Sequence, residues 1–144
     1  MASESTPVPQ TRSCTTVLLI DDDESQRKHW SDSLKSYSGH YSVFEASSAE
    51  AGVEICRTGK VDCVRLDLDM PISGFSALWE LIPDRPRPAI AVIIFTHLVH
   101  ANLSGMAQHN GAQDWLVKQR TSVEQLHRAI QNAVATVRSK QNKL

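Results

Sequence analysis

The chain contains short apolar runs that stop abruptly at polar residues. The clearest run spans residues 89–95 (AIAVIIF), which are uniformly apolar and rich in β-branched side chains. A shorter run of the same kind, residues 17–20 (VLLI), leads directly into three aspartates. Such runs are typical of strands that are buried on both faces of a parallel sheet. They are far shorter than the ~20 apolar residues that a membrane-spanning helix needs.

Segments with helical spacing of apolar residues alternate with the predicted strands. In the last segment Leu126, Ile130 and Val134 share one helical face, and Ser122 precedes them as a cap. The predicted strands are residues 17–20, 41–46, 61–66, 89–95 and 114–117, and the predicted helices are residues 24–35, 47–58, 75–82, 98–109 and 122–137. This alternation predicts an α/β fold, a doubly wound five-stranded parallel sheet with helices on both faces.

The second predicted helix carries signals at both of its ends. Ser47 and Glu50 have the spacing of a capping box, so we expect the helix to begin there. It would turn Ala51, Ile55 and Cys56 toward the core and end at a glycine, Gly59.

Length and composition indicate one globular domain. The 144 residues fit a single domain, since domains usually contain roughly 100–200 residues. We predict a disordered lead over residues 1–14, the domain over residues 15–138 and a basic tail over residues 139–144. The net charge of −1 favours neither nucleic acid nor an anionic membrane as the main partner. Three cysteines without CxxC spacing, and an N-terminus without a signal-peptide pattern, predict reduced thiols and a cytoplasmic location.

Polar or ionisable residues follow four of the predicted strands. Asp21 and Asp22 follow the first strand, Asp67 the third, Thr96 the fourth and Lys118 the fifth. Because ligands of an open parallel sheet bind outside the carboxyl ends of its strands, we expect these groups to share one site.

The chemistry of these groups suits phosphoryl transfer. Clustered carboxylates repel one another unless a cation lies among them, and Mg²⁺ prefers carboxylate and phosphate oxygens. A carboxylate can act as the nucleophile and form an aspartyl-phosphate. Such a transfer needs mainly positioning and charge neutralisation, which a metal ion and Lys118 would supply.

Four segments, VLLIDDDE, LDLDMP, VIIFTH and GAQDWLVK, occur in the order and near the spacing of a known family. Over about residues 16–137 the chain resembles the receiver domain of two-component response regulators, which has the flavodoxin-like fold. The resemblance implies that Asp21 and Asp22 are the acidic pair and that Asp67 accepts the phosphoryl group. It further implies that Thr96 is the switch hydroxyl and that Lys118 bridges the acidic residue and the phosphate.

The resemblance also implies a metal ion, an aromatic switch residue and two partners. Mg²⁺ would be held by Asp22, Asp67 and the backbone carbonyl of Asp69, with Asp21 completing the acidic cluster. Trp115 stands where the family has an aromatic switch residue, usually a smaller ring. The phosphate donor would be a sensor histidine kinase or a phosphotransfer protein, and the signal would pass to a downstream protein partner. A receiver of this kind is not an independent enzyme.

Each motif alone has a simpler interpretation. The aspartate run could merely cap a helix, and Asp67 and Asp69 resemble the DxD of haloacid dehalogenase-like phosphatases. His97 replaces a small residue after Thr96, the loop after residue 71 is one residue short, and Gln119 replaces a common proline. His97, Trp115 and the shortened loop motivate an alternative hypothesis, a receiver-like interaction module that is not phosphorylated. Sustained turnover of phosphate esters would instead indicate a phosphatase.

Overall fold

A computed structural model describes residues 14–67, 90–97 and 111–141 of the chain. The strands are β1 (Thr15–Ile20), β2 (Tyr41–Ala46), β3 (Cys63–Asp67), β4 (Ala91–Thr96) and β5 (Asp114–Val117). The helices of the described residues are α1 (Glu24–Tyr37), α2 (Ala49–Thr58) and α3 (Val123–Gln141), with a 3-10 turn at Lys118–Arg120. No helix in these ranges is long and apolar enough to cross a membrane.

The five strands form one parallel sheet in the order β2-β1-β3-β4-β5. After β2 the chain crosses to the other side of β1, so the direction of winding reverses between β1 and β3. This reversal opens a crevice at the carboxyl ends of those two strands. The register pairs Ile20 with Leu66, which makes Asp21 and Asp67 neighbours across the crevice.

Helices cover both faces of the sheet, as predicted. On one face, Trp30 of α1 and Ile130 of α3 join a buried cluster with Leu19 and Phe95. On the other face, Val53 of α2 packs in a second cluster with other buried residues, including Leu18, Ile20, Val64 and Ile94. The predicted α/β fold with a five-stranded parallel sheet is therefore confirmed.

The predicted start of α2 was wrong by one residue. The cap is Ser48, whose hydroxyl accepts the Ala51 N–H at 3.1 Å, and not Ser47. The buried face also differs from the predicted one, since Gly52 is buried and Ala51 is exposed. A Cβ at position 52 would overlap the side chain of Ile20. Because glycine has no Cβ, α2 can approach β1 this closely. Ile55 and Cys56 are half-buried, and Gly59 ends the helix as predicted.

Other elements also have bounds that differ from the predicted ones by one or two residues. α1 runs two residues past its predicted end, to Tyr37. β3 begins at Cys63, because the preceding Asp62 side chain accepts the Thr16 N–H at 2.9 Å.

The last helix has the predicted cap and is longer than predicted. Ser122 accepts the Gln125 N–H at 3.1 Å, and the Gln125 side chain accepts the Ser122 N–H at 2.8 Å. This reciprocal pair is a capping box. α3 continues to Gln141, into the predicted tail, and its last-turn basic residues Arg138 and Lys140 complement the helix dipole.

Several predictions lie outside the described residues. They concern residues 1–13 of the N-terminal lead predicted over residues 1–14, the helices at 75–82 and 98–109, the short loop after residue 71, and Asp69 as a metal ligand.

Candidate functional site

The carboxyl edge of the sheet brings three predicted carboxylates together. Asp21, Asp22 and Asp67 each place an oxygen within 4.8 Å of the others. Asp21 and Asp67 are buried, whereas Asp22 is exposed. The strand register explains the meeting of residues far apart in sequence, since the end of β1 lies beside the end of β3.

The three consecutive aspartates have different surroundings. Asp21 points inward, where its Oδ1 accepts the Asp23 N–H at 2.9 Å. Asp23 caps α1 by accepting the Gln26 N–H at 3.2 Å, so the helix-cap interpretation holds for this residue. Asp22 lies on the open side and lines a pocket with Asp67. Asp23 also lines this pocket, but of the three clustered carboxylates only Asp22 and Asp67 line it.

Lys118 joins Asp67 directly. Its Nζ lies 3.0 Å from Asp67 Oδ2, and 18% of the Lys118 side chain is exposed. Lys118 is placed there because it follows the last residue of β5, and Val117 pairs with Thr96 at the end of β4. Thr96 itself is fully buried. The predicted Asp67, Thr96 and Lys118 thus lie at the ends of three adjacent strands.

His97 lies at the mouth of the pocket. It is exposed, and it lines the pocket together with Lys118 and Gln119. The Gln119 side-chain amide donates to the His97 carbonyl at 3.2 Å, which ties the end of β4 to the turn after β5.

Trp115 packs on the core and not at the pocket mouth. Its half-buried ring rests against the cluster beneath α2. The backbone N–H of Trp115 donates to the Asp114 carboxylate at 2.7 Å. Trp115 sits in β5, three residues before Lys118, so a movement of this strand would affect both side chains.

Arg65 is a buried charge that the sequence analysis did not single out. It lies on β3, two residues before Asp67, with no exposed surface. Its Nη2 is 3.4 Å from Asp21 Oδ2, and its guanidinium carbon is 4.4 Å from the centre of the Phe95 ring. Burial lowers the pKa of Arg65 to about 10, while Asp21 and Asp67 oppose that shift. The side chain is therefore a cation at neutral pH.

Arg27 was also missed, and it holds the backbone of the acidic segment. Its Nη1 donates to the Asp21 carbonyl at 2.7 Å, and its Nε donates to Glu45 at 3.0 Å. Since Glu45 is on β2, the pair fastens α1 to the sheet edge next to the site.

The donors at this edge fit a hard divalent cation. Mg²⁺ takes oxygen ligands and is usually bound by one or two carboxylates together with water and phosphate oxygens. Asp22 and Asp67 supply such carboxylates at an open pocket. Cys63, the first residue of β3, is buried, and burial raises the pKa of its thiol, which disfavours the thiolate that a soft metal ion would need.

Comparison with known proteins gives one consistent family. Residues 17–131 match the family model described as the response regulator receiver domain. Protein PilH of Pseudomonas aeruginosa is 32% identical over 103 residues, covering 71% of this chain and 84% of PilH. Response regulator UvrY of Escherichia coli is 34% identical, covering 71% of this chain and 46% of UvrY.

Some relatives are much longer than the matched region. A protein-glutamate methylesterase/protein-glutamine glutaminase of Oleidesulfovibrio alaskensis is 33% identical over 108 residues. The match covers 74% of this chain and 29% of that protein, so the chain spans under a third of its length.

Solved structures agree with the family match. A response regulator receiver domain protein from Clostridium thermocellum superposes with a TM-score of 0.76 at 28% identity, covering 87% of this chain and 98% of the other. A CheY-like receiver domain protein from Methanospirillum hungatei gives a TM-score of 0.77 at 19% identity, covering 89% and 99%. The second likeness shows the shared fold alone.

Proposed function

The chain belongs to the response regulator receiver-domain family of two-component systems, and on that premise we propose that it is a phosphorylation-dependent switch with Asp67 as phosphate acceptor. The observation that carries the proposal is the contact between Asp67 Oδ2 and Lys118 Nζ at 3.0 Å, beside two further aspartates. The proposed receiver domain comprises residues 15–138, and its proposed location is the cytoplasm.

Asp67 has the properties of a nucleophile for phosphoryl transfer. One of its oxygens would attack the phosphorus of a phosphohistidine as the phosphorus–nitrogen bond breaks, and the departing imidazole keeps the bonding electron pair. The pocket lined by Asp22, Asp67 and Lys118 is open, so a donor can approach. A Mg²⁺ ion held by Asp22 and Asp67 would neutralise charge on the phosphoryl oxygens.

Lys118 and Thr96 would respond to the new phosphate. The ammonium group that now holds Asp67 can instead hold a phosphate oxygen, because the two positions are a bond or two apart. Thr96 ends the neighbouring strand, and its hydroxyl would move toward the phosphate. A shift of β4 and β5 would carry Trp115 with it and change the surface that a downstream protein partner reads.

The phosphate donor in this proposal is a sensor histidine kinase or a phosphotransfer protein. The chemistry needs no catalytic group beyond the three site residues and the metal ion, so we infer no enzymatic activity other than the protein's own phosphorylation and dephosphorylation. The methylesterase activity in the name of one relative belongs to that longer protein.

A second candidate function is an interaction module that is not phosphorylated. One observation favours it: His97 is exposed and lines the same pocket as Asp67, where its imidazole would narrow the approach of a phosphate donor.

Intact-mass measurement after incubation with acetyl phosphate separates the two candidates. The wild type with MgCl₂ is expected to gain the mass of one phosphoryl group, and EDTA is expected to abolish the gain because the metal ion is required. A receiver known to be labelled by acetyl phosphate runs alongside as the positive control. If the control is labelled and this protein is not, the interaction module is the correct account.

A further inference from the structure

Arg65 occupies a position where a charge is costly. It is the largest fully buried side chain of the described residues, on a central strand between β1 and β4. An arginine without solvent loses its hydration and needs compensating charges. The compensation comes from Asp21 at 3.4 Å and from the face of the Phe95 ring at 4.4 Å.

The pairing of Arg65 is incomplete within the described part of the chain. Its Nε and Nη1 have no hydrogen-bond partner there, and only Nη2 reaches a carboxylate. A side chain selected purely for a strong buried ion pair would be expected to use both arms of its fork. Its electrostatic partners instead include both Asp21 and Asp67, which are members of the acidic cluster.

We propose that Arg65 is a permanent counter-cation of the acidic pocket. It neutralises Asp21 and thereby weakens the binding of the divalent cation at Asp22 and Asp67. This inference rests on the proposed function, because it concerns the metal ion of the same site. Arg65 is a positioning residue, since it lies beneath the pocket and does not reach a bound ligand.

The effect of Arg65 on Mg²⁺ affinity follows from the net charge of the neighbouring groups. The three clustered carboxylates, Asp21, Asp22 and Asp67, contribute −3, and Lys118 and Arg65 contribute +2, which leaves a net charge of −1 on these five groups. Without the Arg65 charge the remaining four groups would carry −2. A unit charge a few ångströms from a divalent ion changes the affinity by at least about tenfold, even where the solvent screens it as bulk water does.

Mg²⁺ titration of charge variants tests the proposal. Arg65→Met keeps most of the volume and removes the charge, and it is expected to bind Mg²⁺ about tenfold more tightly than the wild type by calorimetry. Arg65→Lys keeps the charge and is expected to stay within about threefold. Arg57→Met makes the same change in net charge on the exposed end of α2, and its affinity is expected to equal that of the wild type. Equal Mg²⁺ affinities of Arg65→Met and the wild type would overturn the proposal.

A double variant keeps the test decisive if Arg65→Met does not fold. Asp21→Asn combined with Arg65→Met removes the buried Asp21–Arg65 pair and leaves a net charge of −1 on Asp22, Asp67 and Lys118. Its Mg²⁺ affinity is expected to remain within about threefold of the wild type, because Arg65 already cancels Asp21. A loss of more than about tenfold would show that Asp21 is itself a ligand, and the proposal would fail.

These measurements are independent of phosphorylation. A wild type that is labelled by acetyl phosphate, together with unchanged Mg²⁺ affinity in Arg65→Met, would refute the inference and leave the proposed function intact. A wild type that is never labelled would refute the function, and the Mg²⁺ titrations would still report the role of Arg65.

Discussion

Asp67→Asn is expected to abolish labelling by acetyl phosphate, with a fall in rate of at least about a thousandfold. The amide group of asparagine has nearly the same size and shape as a carboxylate, so the pocket keeps its shape. The amide is a poor nucleophile, and it cannot balance the charge of Lys118, which lies 3.0 Å from Asp67 Oδ2. The measurement is the intact mass after a fixed time with acetyl phosphate and Mg²⁺.

Asp62→Asn is the matched control for that variant. Asp62 precedes the same strand at its opposite end, where a side-chain oxygen accepts the Thr16 N–H at 2.9 Å. Asparagine can accept that hydrogen bond through its own oxygen, so labelling is expected to be unchanged. Wild-type labelling of Asp67→Asn would mean that another residue, such as His97 at the pocket mouth, accepts the phosphoryl group.

Arg65→Met is expected to reduce the free energy of unfolding by about 3–5 kcal/mol in EDTA. The substitution leaves Asp21 fully buried without its cation, next to the equally buried Asp67. The loss of the Arg65–Asp21 ion pair lowers the free energy of unfolding, and so does the repulsion between Asp21 and Asp67 that Arg65 no longer balances. Urea denaturation at neutral pH, with EDTA in the buffer, measures the change.

Two further measurements accompany the unfolding experiment on Arg65→Met. Arg57→Met is expected to lie within about 0.5 kcal/mol of the wild type, because Arg57 forms an exposed pair with Glu54. Adding Mg²⁺ is expected to restore part of the stability of Arg65→Met, since a ligand that binds the folded state stabilises it. An Arg65→Met variant as stable as the wild type in EDTA would contradict the account of Arg65 as the buried counter-cation.

The fold could be predicted from the sequence because its signals are local. Uniformly apolar runs predicted β1 and β4 to within two residues at each end, and β2 and β5 have the predicted bounds. The start of α2 was less well predicted. The capping-box spacing of Ser47 and Glu50 indicated Ser47, whereas Ser48 caps the helix in the structure.

The positions of the candidate site residues followed from one general rule, that parallel strands end at a common edge. That rule placed Asp21, Asp67, Thr96 and Lys118 together, as the structure has them. Their roles in phosphoryl transfer stay predictions until labelling is measured.

The contacts around the site could not be predicted, because they depend on partners distant in sequence. Arg65 pairs with Asp21, 44 residues away, and a single arginine in an apolar strand gives no sign of its partner. In the same way, His127 Nδ1 forms a hydrogen bond of 2.6 Å with the Tyr41 hydroxyl, 86 residues away. Side-chain pairs of this kind emerge only from the packing of α3 and β2 on a common sheet.

Chemical trapping of the phosphorylated residue tests the central claim most directly. Borohydride reduces an acyl phosphate to an alcohol, so an aspartyl-phosphate becomes homoserine, whereas a phosphohistidine is not reduced in this way. After treatment with acetyl phosphate and Mg²⁺, borohydride reduction and peptide mass spectrometry are expected to find homoserine at position 67. An unmodified Asp67, with the phosphoryl group at His97 or at any other residue, would contradict the account.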